Sequence, residues 1–154
     1  MIKLSRIVCP SDFSQTSSRA VDYAATMAVS LDAELIVLHV IPKMDYPLRS
    51  FGISGSMEHI QEEMMTRAEE NLAERIKLLQ QDVPNLKVRA TVRHGEVHEV
   101  TMECAEQESA GMIVMGTHGH TGIKHALLGS TAEKVVRLSK CPVLTVRNPN
   151  QKSS

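Results

Sequence analysis

Leu35-Ile36-Val37-Leu38-His39-Val40-Ile41 is apolar at every position except His39 and is rich in β-branched residues. The run is too short to favour a helix and has no polar face. It reads as a strand covered on both sides, as in parallel sheets flanked by helices. Upstream, Ala20, Tyr23, Ala24, Met27, Ala28 and Leu31 recur at intervals of three and four, which marks one helical face. Ser14 or Thr16 is placed to cap that helix. Before it, Arg6 to Cys9 forms a short buried strand that Pro10-Ser11-Asp12 brings to a stop.

The same alternation continues downstream. Residues 42–56 are irregular, with two Pro and two Gly, and serve either as a cover or contact surface or as a plain connection. Ile60, Met64, Ala68, Leu72, Ile76 and Leu79 make a second helical stripe. Leu86, Val88, Ala90 and Val92 alternate with Lys87, Arg89, Thr91 and Arg93, the pattern of a half-exposed edge strand. Val97, Val100, Thr101, Cys104 and Ala105 define a third helix, Met112 to Met115 a fourth strand, Ser130 to Leu138 a fourth helix and Val143 to Val146 a fifth strand. Strands alternating with helices predict an α/β fold with a parallel sheet. The expected form is a doubly wound five-stranded sheet, order 3-2-1-4-5, with helices on both faces. At 154 residues this is one expected domain over 1–147, followed by a flexible polar tail at 148–154.

Composition narrows the function. Lys and Arg number 17 against 18 Asp and Glu, so no broad basic footprint for nucleic acid exists. Two Tyr, two Phe and no Trp are too few for base-stacking platforms. Three scattered Cys (Cys9, Cys104, Cys141) suit reduced thiols better than a disulfide framework or a zinc site. Without a signal peptide or a membrane-length apolar run, the expected setting is cytoplasmic, with no membrane partner.

In a doubly wound sheet the winding reverses between strands one and four, and the loops leaving their carboxyl ends open a crevice. The unusual residues fall at both loops. Strand one leads into Pro10-Ser11-Asp12, and strand four into Gly116-Thr-His-Gly119-His-Thr-Gly122, with Gly129-Ser130-Thr131 opening the next helix. Glycines bring main-chain amides close to an anion, and the amides of a helix start lack partners and favour negative charge. Ser130 and Glu133 fit a capping box. The hydroxyls of Ser130 and Thr131 are available to a phosphate or to a metal ion. Asp12 suits either a ribose or the cap of helix one, and the Val40 main chain suits an adenine edge. The loop carries no G-K-[ST] and is not a Walker A loop.

At these residues the chain resembles the universal stress protein family in its nucleotide-binding branch. Ile7 to Ser14 resembles the family's first strand and P-x-D-x-S turn, and Leu38-His39-Val40 resembles its second-strand ending. Gly116-x2-Gly119-x9-Gly129-Ser130 resembles the family's ATP signature. The resemblance implies Asp12 on the ribose, Val40 on adenine and Gly116 near the ribose. It further implies Gly119, Gly129, Ser130 and Thr131 on the phosphates, with Pro10 and Met115 lining the pocket. It implies an ATP-binding regulator of the stress response, with Mg²⁺ as an optional companion ion. The chain departs from the family at Gly95-Glu96-Val97 and at Gly111-Met112.

No base for fast hydrolysis stands out. Lys124 is placed either near a phosphate or in solvent, and His118, His120 and His125 lack the companions a metal would need. His39 reads as a satisfied core residue. The expected activity is binding, with slow ATP hydrolysis or self-phosphorylation as the alternative and a ligand-free interaction protein as the third reading. Lys87, Arg89 and Arg93 blunt the strand-three edge, but Val143 to Val146 carries no such charges. A two-fold homodimer through that strand is expected, with an unidentified regulatory protein as an optional further partner.

Overall fold

The computed structural model describes residues 4–43, 54–120 and 127–149, with the backbone alone at 54–57. Tyr46, Phe51, Gly122, Lys124, His125 and the end of the tail lie outside the described residues. The elements run β1 (Arg6–Pro10), α1 (Gln15–Ser30), β2 (Glu34–Ile41), α2 (Ser54–Asp82), β3 (Lys87–His94), α3 (Val97–Gln107), β4 (Met112–Gly116), α4 (Ser130–Leu138) and β5 (Val143–Val146). All ladders are parallel, and the order is β3-β2-β1-β4-β5, as the alternation predicts. Among the described residues, no helix is long and apolar enough to cross a membrane.

Strand alternation sorts the core into two layers. Ile7, Cys9, Leu35, Val37 and Val114 pack on one face with the alanines of α1 and with Leu72 and Leu79 of α2. Val8, Ile36, Leu38, Val40, Ile113 and Met115 pack on the other with Val100, Cys104 and Ala105 of α3 and Ala132 and Val135 of α4. Cys9 and Cys104 are buried, free thiols, and burial pushes both up from the ordinary range. Cys141 is free and half-buried.

Three local expectations need correction. Tyr23 and Leu31 are 47% and 42% exposed, because α1 turns Val21 and Ala25 inward beside Ala20, Ala24 and Ala28. Small residues let this helix lie close to the sheet, so its buried stripe is broader than the large side chains suggest. Ile60 is also exposed, at 45%. At about 1.5 Å per residue, the 29 residues of α2 outrun the eight of β3, and the first turns overhang the sheet. The capping box at Ser130 is absent: Gly129 is the cap, Ser130 is the first helical residue, and no side chain caps the start. The motif is out of step by one residue, and Glu133 instead pairs with Arg137 at 3.4 Å.

Candidate functional site

β1 and β4 pair only at Ile7↔Met112 and Val8↔Ile113, and then part. Pro10 explains where. The Ser11 amide donates to the Leu38 carbonyl at 2.8 Å, so Ser11 turns its peptide group toward β2. Neighbouring strand residues face opposite sides, so Pro10 faces β4. Its missing N–H removes the next rung there. Pro10, which ends β1, is thus buried where the two strands part.

The opposite wall is read in the same way. The Leu38 carbonyl faces β1, and the Ile41 carbonyl accepts from the Gly95 amide at 3.1 Å on the β3 side. The Val40 amide and carbonyl therefore face β1, beyond Pro10↔Leu38, where the β1–β2 register ends. Val40 thus offers one main-chain donor and one acceptor above the crevice. Met115, 5% exposed, packs in the same core layer as the Val40 side chain. Gly95 closes the neighbouring turn at φ 145°, and a Cβ there would meet Val100 Cγ2 at 2.6 Å.

Asp12 joins the two loops. Its Oδ1 accepts from the Ser14 amide at 3.0 Å, and its Oδ2 accepts from the His120 amide at 3.0 Å. Burial raises its carboxyl, but the hydrogen bonds from Ser14, Ser17 and His120 outweigh this and hold it below the ordinary 3.8. Ser14, not Asp12 or Thr16, caps α1, its Oγ accepting from the Ser17 amide at 3.2 Å. The Asp12 carboxylate is therefore free of the capping role and lies across the crevice.

The glycines fit by proximity. A Cβ on Gly119 would strike the Asp12 carboxylate. One on Gly116 would lie 2.8 Å from Thr16 Cγ2, and one on Gly129 would lie 3.1 Å from the Thr117 carbonyl oxygen. The Gly129 amide donates to that carbonyl at 2.7 Å, which ties the start of α4 beneath the β4 loop. Gly129 thus contributes space, and its own amide is occupied. The next three amides, of Ser130, Thr131 and Ala132, begin the helix and have no intrahelical acceptor. Ser130 is exposed and Thr131 half-buried, so both hydroxyls stand at this end.

Composition and spacing did not single out two further residues. Thr117 is 3% exposed and its hydroxyl lies 3.1 Å from His118 Nδ1, while His118 Nε2 is buried with no hydrogen-bond partner among the described residues. Phe13 adopts φ 63°, and no sequence signal marks a phenylalanine for the left-handed region. Among the described residues, no three His, Cys, Asp or Glu gather as a metal site would require.

The crevice so built has the Asp12 carboxylate between its two loops and main-chain groups along its walls. Residues 3–147 match the universal stress protein family. The chain is 32% identical to universal stress protein MJ0577 of Methanocaldococcus jannaschii, across 97% of this chain and 98% of that protein. The solved MJ0577 structure superimposes with a TM-score of 0.81, at 31% identity over 97% and 99% of the two chains. Universal stress protein MJ0531 of the same organism is 34% identical over 95% of this chain and 84% of that protein. The Archaeoglobus fulgidus universal stress protein in complex with dAMP shares the fold at a TM-score of 0.64 and 20% identity, over 95% and 99% of the chains. With the family match covering all five strands and the glycine-bearing loop after β4, the chain belongs to the universal stress protein family.

Proposed function

We propose that the protein binds ATP in the crevice between β1 and β4 and acts in the cytoplasm as a nucleotide-dependent regulator. The observation that carries this reading is the Asp12 carboxylate held between the β1 and β4 loops, with the start of α4 tied to the β4 loop and the Val40 peptide facing β1. Each part suits one part of the nucleotide. The Val40 amide and carbonyl match an acceptor and a donor on adenine. Asp12, with its lowered pKa, is an ionised acceptor for ribose hydroxyls at neutral pH. The amides of Ser130, Thr131 and Ala132 and the positive end of α4 face negative charge. The Ser130 and Thr131 hydroxyls add donors to the phosphates, or one of them meets a Mg²⁺ ion carried by the nucleotide. Gly116 and Gly119 keep side chains out of the space beside Asp12, while Pro10 and Met115 line the floor. That a fold relative is described in complex with dAMP fits an adenine nucleotide.

The second part of the reading is a homodimer. β5 lies at the sheet edge beside β4, and its outer side carries Val143 to Val146 without a charge. Antiparallel pairing of two such edges is the arrangement we propose, with the nucleotide state read out by the dimer.

Nucleotide released from freshly purified protein tests the ligand by mass spectrometry. Adenosine triphosphate at near one per chain is expected, and protein that neither carries ATP nor takes it up contradicts the reading. Sedimentation at micromolar concentration is expected to give twice the chain mass, and a monomer contradicts the dimer.

A further inference from the structure

We propose that His39 is a positioning residue for the nucleotide site, setting the turn that aims Asp12, rather than a filler of the core. The inference rests on the ATP reading above and adds to it. His39 is the one polar side chain in the apolar part of β2. It lies on the same face as Leu35 and Val37, and it is half-buried above them. Its Nδ1 stands 2.7 Å from the Ser11 carbonyl oxygen. A carbonyl only accepts, so Nδ1 carries the proton and donates. Its ring lies against Phe13, with centroids 4.6 Å apart and planes tilted by 32°.

These contacts bracket Asp12 on both sides. Ser11 precedes it and Phe13 follows it. Phe13 holds φ 63°, a conformation that a residue with a Cβ adopts reluctantly and keeps only when its surroundings insist. Phe13 also packs against the α1-face core, and its amide lies 3.3 Å from Ser11 Oγ. His39 thus fixes the carbonyl entering the turn and the ring leaving it. Between them the Asp12 carboxylate reaches the Ser14 and His120 amides. An apolar residue at 39 would fill the volume but leave the half-buried Ser11 carbonyl without this donor. The turn would then lose the contact that opposes relaxation of Phe13.

A pair of near-equal amides tests the role. In His39→Asn the side-chain nitrogen replaces Nδ1, whereas in His39→Gln it falls at the position of Nε2 and misses Ser11. ATP affinity is measured by calorimetry for wild type, H39N, H39Q, D12N and the H39Q/D12N double variant, with melting temperatures alongside. H39Q is expected to weaken ATP by about tenfold, and H39N to recover most of that loss. The double variant is expected to bind no worse than D12N alone, because both changes act through one carboxylate. With 2′,3′-dideoxy-ATP, which lacks the ribose hydroxyls, H39Q is expected to match wild type.

Equal affinities for H39Q and H39N, or losses that multiply in the double variant, would overturn the inference and leave the ATP site standing. An equal loss for ATP and its dideoxy analogue would do the same, because it would point to general loosening of the core. Wild-type protein with no ATP affinity would instead overturn the reading beneath it, and this inference with it.

Discussion

The two ends of the sheet are built on opposite plans. At the amino ends, charges are paired. Glu34 accepts from Arg6 Nε at 3.1 Å and from Arg89 Nε at 3.0 Å, Arg6 Nη1 donates to the Glu108 carbonyl at 2.8 Å, and Arg89 reaches the Glu108 carboxylate. These contacts tie β1, β2, β3 and the end of α3 together. At the carboxyl ends of β1 and β4 the Asp12 carboxylate bridges two loops through main-chain amides, with no cation among its contacts with the described residues. The first arrangement is satisfied within the protein. The second sets the Val40 peptide beyond the last β1–β2 pair and the first amides of α4 where no intrahelical acceptor serves them. Stability and binding are therefore expected to separate along the strands.

The largest expected effect breaks the open end. Gly129→Val places a branched side chain against the Thr117 carbonyl, 3.1 Å from the first added carbon, and pushes the start of α4 away from the β4 loop. ATP affinity should fall by about 100-fold or more, about 3 kcal/mol, with the fold retained by circular dichroism. Gly119→Val should act in the same direction by displacing the Asp12 carboxylate. Retained ATP affinity in both variants would refute the site.

Asp12→Asn comes next. It removes a charged acceptor, whose hydrogen bonds are each worth about 1.5–3 kcal/mol, so ATP should weaken by about tenfold to 100-fold. The pH dependence has a defined sign. The folded carboxyl lies below its ordinary 3.8, so its contribution is fully present above that value and is lost as pH falls through the lowered one. Wild-type stability should thus fall below about pH 4 more steeply than that of D12N in acid titrations followed by circular dichroism. Parallel curves would show that Asp12 is not held as an ion.

The amino end should respond the other way. Arg89→Met removes contacts to Glu34 and Glu108. These side chains are partly exposed, so the loss should be about 1 kcal/mol, read as a melting point lower by about 2–4 °C. ATP affinity should not change, and a coupled loss of affinity would erase the contrast between the ends. The smallest effect is expected at Glu133. Its side chain makes one exposed pair with Arg137 and caps nothing, so Glu133→Ala should cost about 0.5 kcal/mol or less. A loss above about 1 kcal/mol would restore the capping box.

The fold was legible because the signals were periodic and long. The apolar run at Leu35–Ile41 and the alternation at Lys87–His94 state their own burial, and the glycine spacing falls at the one place where parallel winding reverses. What was hidden depends on three-dimensional neighbours. Tyr23 reads as core until the alanines of α1 are seen to meet the sheet. Pro10 reads as a terminator until its register shows that the lost donor faced β4. The glycine spacing does not show that the Gly129 amide is tied to the Thr117 carbonyl. Phe13 and His39 carry no joint pattern, because the chain separates them by an entire helix and the turn brings them together.

The most direct test is a crystal structure with a non-hydrolysable ATP analogue at saturating concentration. The account predicts adenine against the Val40 main chain, ribose hydroxyls on the Asp12 carboxylate and the phosphates over the amides of Ser130, Thr131 and Ala132. An analogue bound elsewhere on the molecule, or a β1–β4 crevice that stays empty, would contradict it.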